Sequence, residues 1–228
     1  MGKNLINCDL GECLQPNPDA QIMPLIDMAN IACGGHVGDD QSMIKTIALA
    51  KQNNVRIGAH PSYADKANFG RISHSLDEDA LYALIKAQIG YFQTLCQAQN
   101  AKLEYIKPHG ALYHDMMKDP KVIEVLIRVI EQIDPQLDLV VQAGFSDYLQ
   151  NFEKNTNVRL LHEVFADRAY VGMQMLPRSE NNAVFDNAQR IAQQFHDFSS
   201  ENSFKIDTIC FHGDNPASIQ ALKIVKNA

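Results

Sequence analysis

The chain has 228 residues, 46% of them hydrophobic and 21% charged, which supplies a sizeable core and argues against disorder. Its formal net charge is -7 and no basic or acidic block of five occurs. That excludes a general nucleic-acid binder, because phosphate neutralisation needs clustered Lys and Arg. No signal peptide is visible, since the apolar start is broken by Asn7 and Asp9, and no apolar run approaches membrane-spanning length. The five cysteines, an odd number with no Cys-x-x-Cys pair, fit reduced thiols and a cytoplasmic location.

In chain order, the first predicted strand is NLINCDL, residues 4–10, ending in Asp9 and, past Gly11, Glu12. Two carboxylates there could act as base and acid, hold a cation, or form a turn with a capping acid. The second strand, DMANIAC (27–33), runs into GGHVGDD. Glycines around His36 allow close backbone approach to a ligand, Asp39 adds a carboxylate, and Asp40 is expected to cap the helix over 39–54. VRIGAH (55–60) ends in His60, where Pro61 turns the chain out of the strand, and Arg71 follows as a possible clamp for a carboxylate or phosphate.

A helix is predicted over 75–100, with Ser75 and Glu78 as a capping box and Leu81, Leu84, Ile85 and Ile89 on one face. LEYIKPH (103–109) brings Lys107 and His109 to its end, a cation for a developing oxyanion and an imidazole for proton transfer. Tyr113 reads as a packing residue and His114 as an exposed helix residue. The next helix, 119–133, starts with Asp119 as cap and Pro120 in the first turn. LDLVVQAG (137–144) and VRLLHEVF (158–165) are strands, and the second leads into Glu163, Asp167 and Arg168, with Arg178 on the same rim. A pair among these acids and Arg168 could instead only position a loop. After a helix over 187–202, IDTICFHG (206–213) ends in His212 and Asp214.

Strands alternating with helices give βαβ units and a parallel sheet. An open sheet gathers its site at one switch point, whereas a barrel brings every strand end to one mouth. Polar residues at six of seven strand ends therefore favour an α/β fold of one domain, 1–228: a distorted (β/α) barrel of seven strands. Neither G-x-G-x-x-G nor G-x-x-x-x-G-K-[ST] is present, and no G-x-S-x-G elbow. The histidine and acid spacing fits no metal motif such as H-E-x-x-H, so metal binding stays open.

CDLGE, ANIACGGHVGD, IGAHPSY with NFGR, KPHGALY, EVFADRAY with LPRS, and CFHGD, in that order, resemble the lactam-utilisation family, the A subunit of bacterial ATP-dependent 5-oxoprolinase. The resemblance covers nearly the whole chain. It implies a barrel similar to those of polysaccharide deacetylases and cleavage of 5-oxo-L-proline to L-glutamate coupled to ATP hydrolysis, with Mg expected beside the nucleotide. It also implies partner subunits B and C. Carried onto this chain, it marks Asp9, Glu12, His36, His60, Lys107, His109, Glu163, Asp167, Arg168 and His212 as catalytic, and Asp39, Arg71, Arg178 and Asp214 as substrate-binding. Gly35 stands where the family usually has Phe, Ser62 where Gly is frequent, and VGMQMLPRS is a looser match. In this scheme Lys107 and Arg168 stabilise a phosphorylated or tetrahedral species, Asp9, Glu12 or a histidine activates water, and Arg178 holds the substrate carboxylate. Two other functions suit the same residues: a metal-dependent amidohydrolase or deacetylase, and a non-catalytic binding subunit of the complex.

Overall fold

The computed structural model describes residues 4–144, 147–201 and 203–227. Seven parallel strands close into a barrel: β1 (Leu5–Leu10), β2 (Met28–Ala32), β3 (Arg56–His60), β4 (Leu103–Ile106), β5 (Asp138–Gln142), β6 (Leu160–Phe165) and, last, β9 (Thr208–Phe211). Every neighbour pair is parallel, and β9 pairs with both β6 and β1 to complete the ring. Between β6 and β9 a small antiparallel hairpin, β7 (Tyr170–Val171) and β8 (Gln174–Met175), turns through Gly172 at φ +58. The expected seven-stranded barrel is thus observed.

The helices are α1 (Asp19–Ile22), α2 (Asp40–Gln52), α3 (Glu78–Ala98), α4 (Gly110–Met116), α5 (Pro120–Ile133), α6 (Asp147–Asn155), α7 (Ala188–Ser200) and α8 (Pro216–Asn227). The sequence pattern did not single out α6 or α8 as helices. α6 is nine residues long and largely polar, so it offers little periodicity, while α8 follows directly on a site-like motif. Two expected caps are corrected. Asp77, not the Ser75–Glu78 box, caps α3 by accepting from Ala80 N, and Asp39, not Asp40, caps α2 in a reciprocal box with Ser42. In each case the capping carboxylate sits one residue outside the first helical turn, where its oxygen reaches an orphan N–H. Asp119 and Pro120 start α5 as expected. The helix expected over 187–202 ends at Ser200, and Asn202 lies outside the described residues.

The outer strand faces and the helices share one large apolar core. The barrel interior is different, because strand alternation sends every second residue inward. Its floor is apolar, a cluster of Met28, Tyr105, Val140 and Leu161 with Leu5 packed against it. Two positions further along the same strands, the next inward residues are Asn7, Asn30, Lys107, Gln142 and Glu163, and beyond them stand Asp9 and the imidazoles. Gly58 is required in this stack: a Cβ there would overlap the Tyr105 ring. A gradient from apolar floor to polar mouth places the site at the C-terminal ends of the strands, where barrels put their chemistry.

Candidate active site

Inward positions on β1 are Asn7 and Asp9, two residues apart, and both are buried. Lys107, just past β4, reaches into the same layer and is only 2% exposed. Its Nζ lies 3.1 Å from Asn7 Oδ1, 3.1 Å from Asp9 Oδ1, 3.0 Å from Glu163 Oε1 and 3.1 Å from Cys210 Sγ. An ammonium has three donors, so protein groups use all of them. Asn7 Nδ2 donates to Glu163 Oε1 and Thr208 Oγ1, Asn30 Nδ2 to Asn7 Oδ1 and Asp9 Oδ1, and the Tyr105 hydroxyl to Asn30 Oδ1.

This network separates two carboxyls. Burial would raise both. For Asp9 the Lys107 ammonium, with His60 also beside it, outweighs burial and holds it well below the usual range. For Glu163 burial prevails over Lys107, aided by the Asp9 charge, and the carboxyl is pushed up. Burial alone would lower Lys107, but Asp9, Cys210 and Glu163 raise it well above its ordinary value. The ammonium is therefore a fixed charge.

Beside this layer three imidazoles meet. His36 and His109 stack with centroids 3.7 Å apart, and His60 meets each edge-on. Glu12, carried over them by Gly11 at φ +71, places Oε1 3.4 Å from His36 Nε2 and 3.7 Å from His109 Nδ1. Burial, then the neighbouring His60, lowers His36 to about 2, and burial with both other imidazoles lowers His109. Burial and the Asp9 charge raise Glu12. The loop before α3 is clamped over the cluster: His109 Nε2 bonds Phe69 O at 2.9 Å, and Ala111 N donates to Gly70 O. Gly35 leaves no gap beside His36. A Cβ there would come within 2.5 Å of Ser62 Oγ and Gln88 Oε1, and the aromatic neighbour of His36 is Phe69.

Asp167 and His212 form a dyad on the far side of the mouth. Asp167 Oδ1 lies 2.7 Å from His212 Nδ1, and its Oδ2 accepts from Asn215 Nδ2 and Ser218 Oγ. Burial would raise this carboxyl, but His212 and the hydrogen bonds hold it down at about 2. With Nδ1 spent on Asp167, the imidazole offers Nε2 to the cavity that His212 lines. This cavity, about 440 Å³, is also lined by Asp9, Glu12, His60, Lys107 and His109, and by Arg71, Arg168, Arg178 and Asp214.

The structure thus brings ten of the fourteen marked positions to one cavity. His36, Glu163 and Asp167 stand behind it, each holding a group that lines it or faces Lys107. Asp39 is outside it and caps α2. Arg71 pairs with Asp214 across the rim at 3.1 Å. Arg168 is turned to main-chain oxygens, Ala183 O and Leu176 O, and burial with the nearby Arg178 lowers it to about 10. His114 is an exposed residue of α4 at the edge of the cavity, as expected. Tyr113 is packed, as expected. Asn7, Asn30 and Cys210 were not singled out as site residues, and Ser62 was noted only as standing where Gly is frequent. Asn7 with Asp9, at a spacing of two inside an apolar strand, was the available signal.

A closed parallel barrel with a ring of buried titratable groups at its C-terminal mouth defines the class of barrel enzymes. The LamB/YcsF family model matches residues 5–228, and the chain belongs to that family. A protein of Vibrio cholerae serotype O1, named as the A subunit of 5-oxoprolinase, is 39% identical over 98% of this chain and 96% of its own length. One of the same name from Pseudomonas fluorescens is 40% identical over 100% and 97%. Among solved structures, a lactam utilization protein from Thermus thermophilus superposes with a TM-score of 0.87 at 29% identity, covering 99% of this chain and 95% of that one. A GH113 beta-1,4-mannanase shares the fold alone, at a TM-score of 0.57 and 10% identity.

Proposed function

We propose that this chain is the A subunit of an ATP-dependent 5-oxoprolinase, a single barrel domain over residues 1–228 that opens 5-oxo-L-proline to L-glutamate in the cytoplasm, with subunits B and C as partners. Full-length similarity to relatives of that name supports the reading. The observation that carries the chemistry is the Asp167–His212 pair opening onto a cavity rimmed by arginines.

A lactam amide is stabilised by resonance, and transferring a phosphoryl group from ATP to its oxygen turns that oxygen into a leaving group. His212 Nε2 then takes a proton from water as the water oxygen adds to the ring carbon, with Asp167 steadying the imidazolium. The C–N bond breaks as the ring nitrogen takes the proton from His212 and leaves as the amine, and a second water then cleaves the acyl phosphate so formed to the carboxylate and phosphate. Arg178 suits the substrate carboxylate, since its guanidinium can form two parallel bonds to it. Lys107, Arg168 and Arg71 are held by protein partners, so with Arg178 on the carboxylate Lys118 is the cavity cation left for phosphate among the described residues. Lys107 then acts by fixing the Asp9 charge.

The test is glutamate formation from 5-oxoproline by the purified chain, with and without ATP and the two partner subunits. Glutamate only with ATP and the full set is the expected result, and none under any combination would sink the proposal. The three imidazoles beside Glu12 favour a second reading, a metal-dependent amidohydrolase. Ring opening by the isolated chain without ATP would select it.

A further inference from the structure

We infer that the barrel mouth is a binding site for one divalent first-row transition-metal ion, ligated by Glu12 Oε1, His36 Nε2, His60 Nε2 and His109 Nδ1. The inference stands on donor geometry and does not rest on the substrate assigned above. The four donor atoms all lie within 4.8 Å of one another. Measured separations are 2.9 Å for His60 Nε2 to His109 Nδ1, 3.4 Å for His36 Nε2 to Glu12 Oε1, and 3.7 Å for His109 Nδ1 to Glu12 Oε1. Tetrahedral donors at bond lengths of about 2.0–2.1 Å stand about 3.3 Å apart, inside that span.

The hydrogen bonds behind the rings decide which nitrogens carry protons. His60 Nδ1 lies 2.6 Å from Lys107 O and His109 Nε2 2.9 Å from Phe69 O; a carbonyl only accepts, so both nitrogens are N–H. His36 Nδ1 lies 3.1 Å from Ser62 Oγ, whose own hydrogen goes to Tyr63 O at 2.9 Å, so this nitrogen donates too. Each neutral ring is left with its lone pair on the nitrogen facing the shared centre. This is the arrangement in which outer hydrogen bonds orient metal-binding histidines.

The centre holds acceptors without donors. Glu12 Oε1 and His36 Nε2 are buried and have no hydrogen-bond partner, and the short His60–His109 contact sets two lone pairs face to face unless a proton lies between them. One proton there leaves the other two acceptors unpaired, which is costly in a buried site. A single cation satisfies all four. In the ion-free form His36 and His109 are parallel within 4°, so loading tilts the two rings apart to aim both lone pairs at one point. The other nearby donor group, Asp9, Cys210 and His212, does not compete, because the Lys107 ammonium already sits on Asp9 and Cys210 and Asp167 holds His212. Three imidazoles and one carboxylate suit zinc and its neighbours over magnesium or calcium, which prefer all-oxygen shells. Glu12, His60 and His109 line the cavity, so the ion is reached from it.

The test uses tag-free full-length protein, stripped with a chelator, incubated with excess Zn²⁺ or Mg²⁺, desalted and measured by elemental analysis. One zinc per chain and no magnesium are expected, and Co²⁺ in place of zinc should give the visible bands of a four-coordinate ion. A His36→Ala/His109→Ala double variant should retain no metal, its fold checked by circular dichroism. Ser62→Ala, which leaves all four ligands, should bind zinc about 10–100-fold more weakly by calorimetry. If the double variant does not fold, the Ser62→Ala affinity and the cobalt spectrum decide. Wild-type protein that keeps no zinc, a double variant that folds and keeps as much as wild type, or Ser62→Ala with unchanged affinity overturns the inference. Glutamate formation is measured separately, so loss of this inference leaves the lactam reading standing.

Discussion

Lys107 places one buried positive charge between two buried carboxyls, Asp9 and Glu163. Removing it while filling its volume, as in Lys107→Met, strands the Asp9 charge in the barrel. Breaking such a buried pair costs about 3–5 kcal/mol, so a lowered Tm is expected in thermal unfolding. His212→Ala should cut glutamate formation by roughly 10²–10⁴-fold and lower Tm less than Lys107→Met, since Asn215 and Ser218 still bond the buried Asp167 carboxylate. The sequence showed that Lys107 and His109 belong to a site, because a cation and an imidazole closing an apolar strand make poor core. It could not show what Lys107 meets. Its partners come from positions 7, 9, 163 and 210, and only barrel closure brings those beside it.

Among elements, the strands were the most legible, because each is a short apolar run ending in polar residues. Helix starts were less so. Ser75 and Glu78 have the spacing of a capping box, yet Asp77 occupies the cap position with an extended backbone at φ -68 and ψ 165. Two residues both able to cap differ only in where the helix begins, and the local sequence does not decide that. Asp77→Ala should therefore cost about 1 kcal/mol in denaturant unfolding and Ser75→Ala close to none. Asp39 and Asp40 pose the same ambiguity at α2, and there it removed a marked residue from the site. The side-chain interactions behind the imidazoles were invisible for another reason: Ser62 reads as an ordinary loop serine until the fold sets it against His36.

For the whole molecule, the choice of a barrel over an open sheet was argued from convergence of strand ends, and the closed ring bears it out. The polar mouth also gives the global stability a pH dependence. The Asp167 carboxyl is depressed in the folded chain, to about 2 from 3.8, so its contribution is fully present above about pH 4 and is lost as pH falls toward 2. The shift corresponds to about 2 kcal/mol. The stability gap between wild type and Asp167→Asn should narrow by about that amount in denaturant titrations repeated from about pH 5 down to about pH 2.

Closure has a further consequence. β1 pairs with β9, Leu5 opposite Thr208, so the first strand made must wait for the last before its outer edge is covered. On the ribosome, Asp9 and Glu12 emerge long before the wall that seats them, with Cys210 and His212. Until then β1 and β6 are open edges of the kind that recruit other strands. Through that interval the nascent chain has no finished site and needs protection from its neighbours.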